Sequence, residues 1–99
     1  MLYKYDLVSK QWTAILPTTD VPKVDSHSAA VIEGKMYIYG GYLSEEAENM
    51  RNIISFEFET EKWEVVYKSN RKANEPEGRS CSSMTAFDGK LYIFGGTNG

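Results

Sequence analysis

The side chains best suited to chemistry are few and scattered. His27 is the only histidine and Cys81 the only cysteine. One of each does not make a metal site, which needs three or four ligands at suitable spacing, so neither a metal nor a cofactor is expected. A single thiol also excludes an intrachain disulfide. Both residues fall in short apolar stretches that read as strands, and a packed, inert role is expected for each. Glu45, Glu46 and Glu48 cluster, but nothing apolar surrounds them in the sequence to raise a carboxyl pKa for acid–base work. The pairs Gly40-Gly41 and Gly95-Gly96 lack the Gly-Lys-Ser/Thr or Gly-x-Gly-x-x-Gly context of a phosphate loop. Catalysis is therefore not expected. What remains are loop residues suited to gripping another protein: Tyr42, Glu45, Glu46, Glu48, Asn49 and Arg51 in one loop, and Arg71, Lys72 and Arg79 in another. Arg and Tyr are common interface anchors.

Composition narrows the partner class. Eleven basic and 14 acidic residues leave a net charge of −3. Nucleic-acid and anionic-membrane surfaces want a basic excess, so neither partner is expected. Apolar residues make up 41% and charged residues 25%, which is globular usage. No apolar run approaches the ~18 residues of a membrane span, and the first residues lack the apolar region of a signal peptide. A cytoplasmic location is the expectation that follows. Aromatic residues are 13% of the chain, seven of them Tyr, which favours β structure.

The elements that must position those loops are written twice. Gly34-Lys35-Met36-Tyr37-Ile38-Tyr39-Gly40-Gly41 returns 55 residues later as Gly89-Lys90-Leu91-Tyr92-Ile93-Phe94-Gly95-Gly96. Gly34 and Gly89, preceded by Glu33 and Asp88, suit a tight hairpin turn. The apolar runs of four that follow are too short for a helix and read as strands buried on both faces. Each glycine pair ends its strand or lets another backbone approach. A second repeat runs beside the first. Tyr5-Asp6 precedes Trp12 by seven residues, and Phe56-Glu57 precedes Trp63 by seven, at a shift of 51. Strands are expected over 2–7, 12–16, 27–32, 36–39, 53–58, 63–67, 80–87 and 91–94. In the strand over 53–58 one face (Ile54, Phe56, Phe58) should be the more buried. Residues 40–52 should form an acidic connection, with room for a helical turn over Ser44–Met50 capped by Ser44. Repeating strands joined by loops of varying length are the mark of a repeat architecture.

These motifs together resemble the kelch-repeat family of β-propellers. The resemblance rests on the small-residue strand, the Gly-Lys turn, the Tyr-rich strand, the glycine pair, and the aromatic-acidic pair with its Trp. The run Pro76-Glu77-Gly78-Arg79-Ser80 followed by Phe87-Asp88-Gly89-Lys90 is an especially close match. Val24 stands where the family often has Arg, and Phe56-Glu57 replaces the more usual Tyr-Asp. The resemblance implies an all-β fold of four-stranded antiparallel blades and a partial propeller of about eight strands. Residues 1–16 would be the outer strands of a first blade, 17–68 a complete blade with its leading loop, and 69–99 the inner strands of a third. Ala29 and Ala30 would suit the crowded inner strand, and Trp12 and Trp63 the wider gap between blades. Further blades or self-association would be needed for closure.

The same resemblance implies a non-catalytic module that binds a protein partner, with ubiquitin-ligase or cytoskeletal machinery as the expected setting. With the four strands of a blade lettered a to d from the axis outward, the long b–c and d–a loops would make that contact. A piece of a propeller enzyme, of copper-oxidase or isomerase type, and a scaffold unit that oligomerises into a ring are the alternatives.

Overall fold

The computed structural model describes residues 2–16, 23–71 and 74–97. Every regular element among them is a β-strand. In chain order these are β1 (Leu2–Tyr5), β2 (Trp12–Ile15), β3 (Val24–Asp25), β4 (Ser28–Ile32), β5 (Lys35–Tyr39), β6 (Tyr42–Leu43), β7 (Glu48–Asn49), β8 (Ile53–Glu57), β9 (Lys62–Tyr67), β10 (Ser83–Phe87) and β11 (Lys90–Phe94). Four antiparallel sheets result. A four-stranded sheet in the order β4-β5-β8-β9 lies between the hairpins β1-β2 and β10-β11 in sequence, and a small sheet β3-β6-β7 accompanies it.

The expected strands are present, most with trimmed ends. β1 stops at Tyr5 because Asp6 turns the chain: its carboxylate accepts the amides of Val8 and Ser9. The hairpin turns at Glu33-Gly34 and Asp88-Gly89 have positive φ at both residues, the conformation that matches strand twist in two-residue hairpins. The strand expected over 80–87 begins only at Ser83. Cys81 has φ +61° and its amide donates to the Ser26 carbonyl, which breaks the strand there. Cys81 is exposed rather than buried, and His27 is likewise exposed just ahead of β4.

The core sits on one face of the four-stranded sheet. Directly paired residues share a face. The register therefore sets Val31, Met36, Phe56 and Trp63 in one row and Ala29, Ile38, Ile54 and Val65 in the next. Ile38 and Ile54 pack with Met50, flanked by Val24, Met36, Leu43 and Trp63. The small sheet thus covers the larger one. Ser55 is buried beside Ile54 and Phe56, so β8 is enclosed on both faces rather than mainly on one. Phe58 falls beyond β8 and is exposed, edge-on to Phe56 at 5.8 Å.

Three expectations about burial change. Leu91 and Ile93 are half-buried, but Tyr92 and Phe94 on the other face of β11 are exposed, so this strand is covered on one side only. Trp12 does not fill a gap; it is exposed and tilted against Tyr5. Ala29 is also exposed. The β11 face and Trp12 have no neighbouring sheet over them among the described residues, whereas Ala29 lies in the core row but on β4, an edge strand of its sheet. Ser44–Met50 is not helical either. β7 within it pairs with β6 just ahead of it, and β6 also pairs with β3, so the stretch is the turn of a hairpin rather than of a helix.

Candidate partner-binding site

The connections alternate between two ends of the sheets. Short turns lie at 6–11, 33–34, 58–61 and 88–89, and the long ones, 40–52 and 68–82, share the opposite end. The two long segments are laced together. The Gly41 amide donates to the Arg79 carbonyl at 2.9 Å, and the Met50 amide to the Gly41 carbonyl at 2.7 Å. Gly40, at φ +77°, comes so near that a Cβ there would collide with the Arg79 carbonyl oxygen. The glycine pair is therefore the place where the next repeat's backbone crosses.

Side chains reinforce the lacing. The Arg71 guanidinium donates to both carboxylate oxygens of Glu48, at 3.0 and 2.9 Å. Arg51 lies 3.8 Å from Glu75. Glu75 is the hub of the second loop. It accepts from the hydroxyls of Tyr67 and Ser69 and from the amides of Asn70 and Arg71, and its side chain is only 6% exposed. The Ser69 hydroxyl, then the Tyr67 hydroxyl, hold its carboxyl below the usual range. The same bond pushes the Tyr67 phenol up. Burial does the same to Tyr39, opposed by the nearby Arg79 cation.

Between the loops lies a cleft of about 280 Å³ lined by Ala47, Glu48, Asn49, Arg51, Glu77 and Gly78. Asn49 Oδ1 is buried there without a hydrogen-bond partner among the described residues. The structure brings Glu48, Asn49, Arg51 and Arg71 together around this cleft. Tyr42 is paired opposite Asn49, and Glu45 and Glu46 stand exposed on the β6–β7 turn without an ion pair among the described residues. Arg79 points elsewhere: its guanidinium donates to the carbonyls of Glu77 and Gly95, so it braces two backbone segments. Lys72 lies outside the described residues, as does most of the long connection expected over 17–25. Sequence reasoning missed Glu75, Ser69 and Glu77. A Glu among charged loop residues carries no mark of being a hub, because its donors come from positions 67 to 71.

Among the described residues no three His, Cys, Asp or Glu side chains group as a metal site requires. The site offers charged and amide groups on two braced loops, a surface for hydrogen bonding to another molecule.

A four-stranded antiparallel sheet flanked by hairpins that repeat its strand pairs, with tandem sequence motifs, defines blades of a kelch-type β-propeller. Comparison with known proteins agrees. The profile of the "KLHDC2/KLHL20/DRC7 Kelch-repeats domain" matches residues 1–99, and the chain belongs to the kelch-repeat family, whose members are generally protein-interaction modules. Among similar curated proteins, Kelch domain-containing protein 10 of Homo sapiens is 31% identical over 103 residues, covering 99% of this chain and 23% of that protein. Kelch domain-containing protein 3 of Mus musculus is 31% identical over 97 residues, covering 97% and 25%. The N-(sulfonatooxy)prop-2-enimidothioate sulfolyase of Thlaspi arvense is 28% identical over 99 residues, covering 98% and 28%. The chain thus spans about a quarter of the length of these relatives. Kelch proteins are mostly non-enzymatic, though this sulfolyase is named as an enzyme.

Proposed function

We propose that the long-loop end is a non-catalytic docking surface for a segment of another protein. The observation that carries this reading is the cleft between two loops that are already cross-braced by Arg71–Glu48 and Arg51–Glu75. Braced loops lose little conformational freedom on binding, which favours affinity. We further propose the division into outer strands (1–16), one complete blade (17–68) and inner strands of a third (69–99). A cytoplasmic site of action, within ubiquitin-ligase or cytoskeletal machinery, belongs to the same proposal. The test is Glu45→Ala, Glu46→Ala and Arg71→Ala together in the full-length protein. Quantitative pull-down from cells should lose specific proteins by about tenfold, equivalent to 1.4 kcal/mol. An unchanged set of captured proteins refutes the proposal.

A second reading has one observation in its favour, the likeness to a sulfolyase. In that reading the chain is part of a propeller enzyme whose reacting groups lie in other blades. Lyase turnover by the full-length protein on a sulfated thiohydroximate would support it, and no turnover would count against it.

A further inference from the structure

We propose that Ser69 is a phosphorylation site for a serine/threonine kinase that selects basic flanks, and that the phosphate unlaces the two long loops. Loss of partner binding would follow, a consequence that rests on the long-loop end being the docking surface.

Charge around the hydroxyl selects it. Lys68 precedes Ser69, and Arg71 and Lys72 follow closely after it. Kinases discriminate substrates by such charge patterns. Lys68 and Arg71 are exposed, as a recognition flank must be. The other hydroxyls at this end differ. Ser44 is followed by Glu45 and Glu46, which carry the opposite charge. Ser80 follows Arg79, but that guanidinium donates to the carbonyls of Glu77 and Gly95, and both backbone groups of Ser80 are paired with Thr97. Ser69 lies just past β9, in a segment with no regular structure that is tied down by side-chain hydrogen bonds. Segments of this kind open locally at low cost, and opening presents the half-buried hydroxyl.

The place of the hydroxyl gives the phosphate its effect. Ser69 Oγ donates to the Glu75 carboxylate and accepts the Arg71 amide at 3.2 Å. The Ser69 amide donates to Asn52 Oδ1 at 2.8 Å, which ties this loop to the first long connection. In the transfer, the γ-phosphoryl group of a nucleoside triphosphate bonds to Oγ, its bond to the departing nucleoside diphosphate breaks, and the hydroxyl proton passes to a base of the kinase. A donor is thereby replaced by a strong acceptor of about −1.5 to −2 charge. It stands against a carboxylate whose side chain is only 6% exposed, where like charges are poorly screened and repel. The phosphate also competes for the cations that lace the loops. Arg51 lies 3.8 Å from Glu75, and Arg71 is held by Glu48 at 2.9 Å. Phosphate draws a guanidinium into paired, charge-assisted hydrogen bonds. Arg71 then leaves Glu48, and the brace across the cleft opens.

In full-length protein treated with the catalytic domain of protein kinase C and magnesium ATP, peptide mass analysis should place phosphate on Ser69, and Ser69→Ala should remove it. Phosphate on Ser44 or Ser80 in place of Ser69, or on none of these, overturns the proposal. Phosphoserine installed at position 69 during synthesis separates the effect of charge from loss of a hydrogen bond. Amide exchange at Asn70 and Arg71 should be about tenfold faster there than in Ser69→Ala. That excess should largely disappear in a Glu75→Gln background, where the facing charge is gone. Equal exchange in the phosphoserine and alanine proteins, or an excess that survives Glu75→Gln, would each contradict the proposal. Partner capture tells it apart from the docking reading. If Glu45→Ala, Glu46→Ala and Arg71→Ala together reduce capture while phosphoserine at position 69 does not, the switch fails and the docking surface stands. If the phosphate loosens the loop while the triple variant captures all that wild type does, the docking reading fails and the modification site stands.

Discussion

Glu75 shows how much one carboxylate can organise. Four donors converge on it within a loop that has no regular structure of its own. Its pKa is lowered from the ordinary 4.5 by those hydrogen bonds, so folding is favoured by its charged form. That contribution is fully present above the ordinary value and is lost as pH falls through the lower, folded one. Amide exchange at Asn70 and Arg71, corrected for intrinsic rate, should therefore be flat from neutral pH down to about 4.5 and then rise. Glu75→Gln should remove that pH dependence and loosen both amides at neutral pH; a variant with wild-type exchange would contradict this role. Gly40 offers a second test. Its φ of +77° and the nearby Arg79 carbonyl both oppose a Cβ. Gly40→Ala should cost about 1–3 kcal/mol in urea unfolding. Gly34→Ala meets nothing within 4 Å and should cost only the backbone penalty of about 1–2 kcal/mol.

At the scale of elements, the β3-β6-β7 sheet gives the long connection an apolar anchor. Met50 is 2% exposed and sits against Ile38 and Ile54. Met50→Ala should destabilise the chain by about 2–5 kcal/mol, the range for a buried truncation. Arg71→Ala breaks an ion pair whose partners are both well exposed, and should cost no more than about 1 kcal/mol. Thermal melts of the two variants separate the roles. Equal destabilisation would mean that the ion pair holds the loop as strongly as the apolar anchor does. The connection was legible in the sequence as long and acidic. Its pairing as strands was not, because two-residue strands carry no periodicity, and their partners lie up to about 20 residues away.

At the scale of the molecule, the sheets leave aromatic faces at both ends. Tyr39 is 3% exposed where β10-β11 lies beside β4, while its repeat equivalent, Phe94, is 82% exposed. The difference is the presence of a neighbouring sheet, since the backbone pattern is the same. Tyr92→Thr with Phe94→Lys should shift the unfolding free energy of dilute chain by no more than about 0.5 kcal/mol, as for other surface substitutions. The same pair of changes should raise solubility. A loss of several kcal/mol would show that this face is packed in the monomer.

The strands, the hairpin turns and the kelch-type repeat can be read from the residues alone, because these depend on local chemistry: alternation, φ-permissive turn residues, and phrases that recur at 55 and 51 residues. Which copy of each phrase is buried depends instead on packing between distant segments. Met36 to Tyr39 and Leu91 to Phe94 are nearly the same words, yet one strand lies inside a four-stranded sheet and the other in a two-stranded hairpin. Tertiary structure also turned Arg79 inward to carbonyls, Arg71 outward to Glu48, and made Glu75 a hub. Burial and pairing of this kind depend on neighbours distant in sequence, and composition at the residue itself carries no record of them.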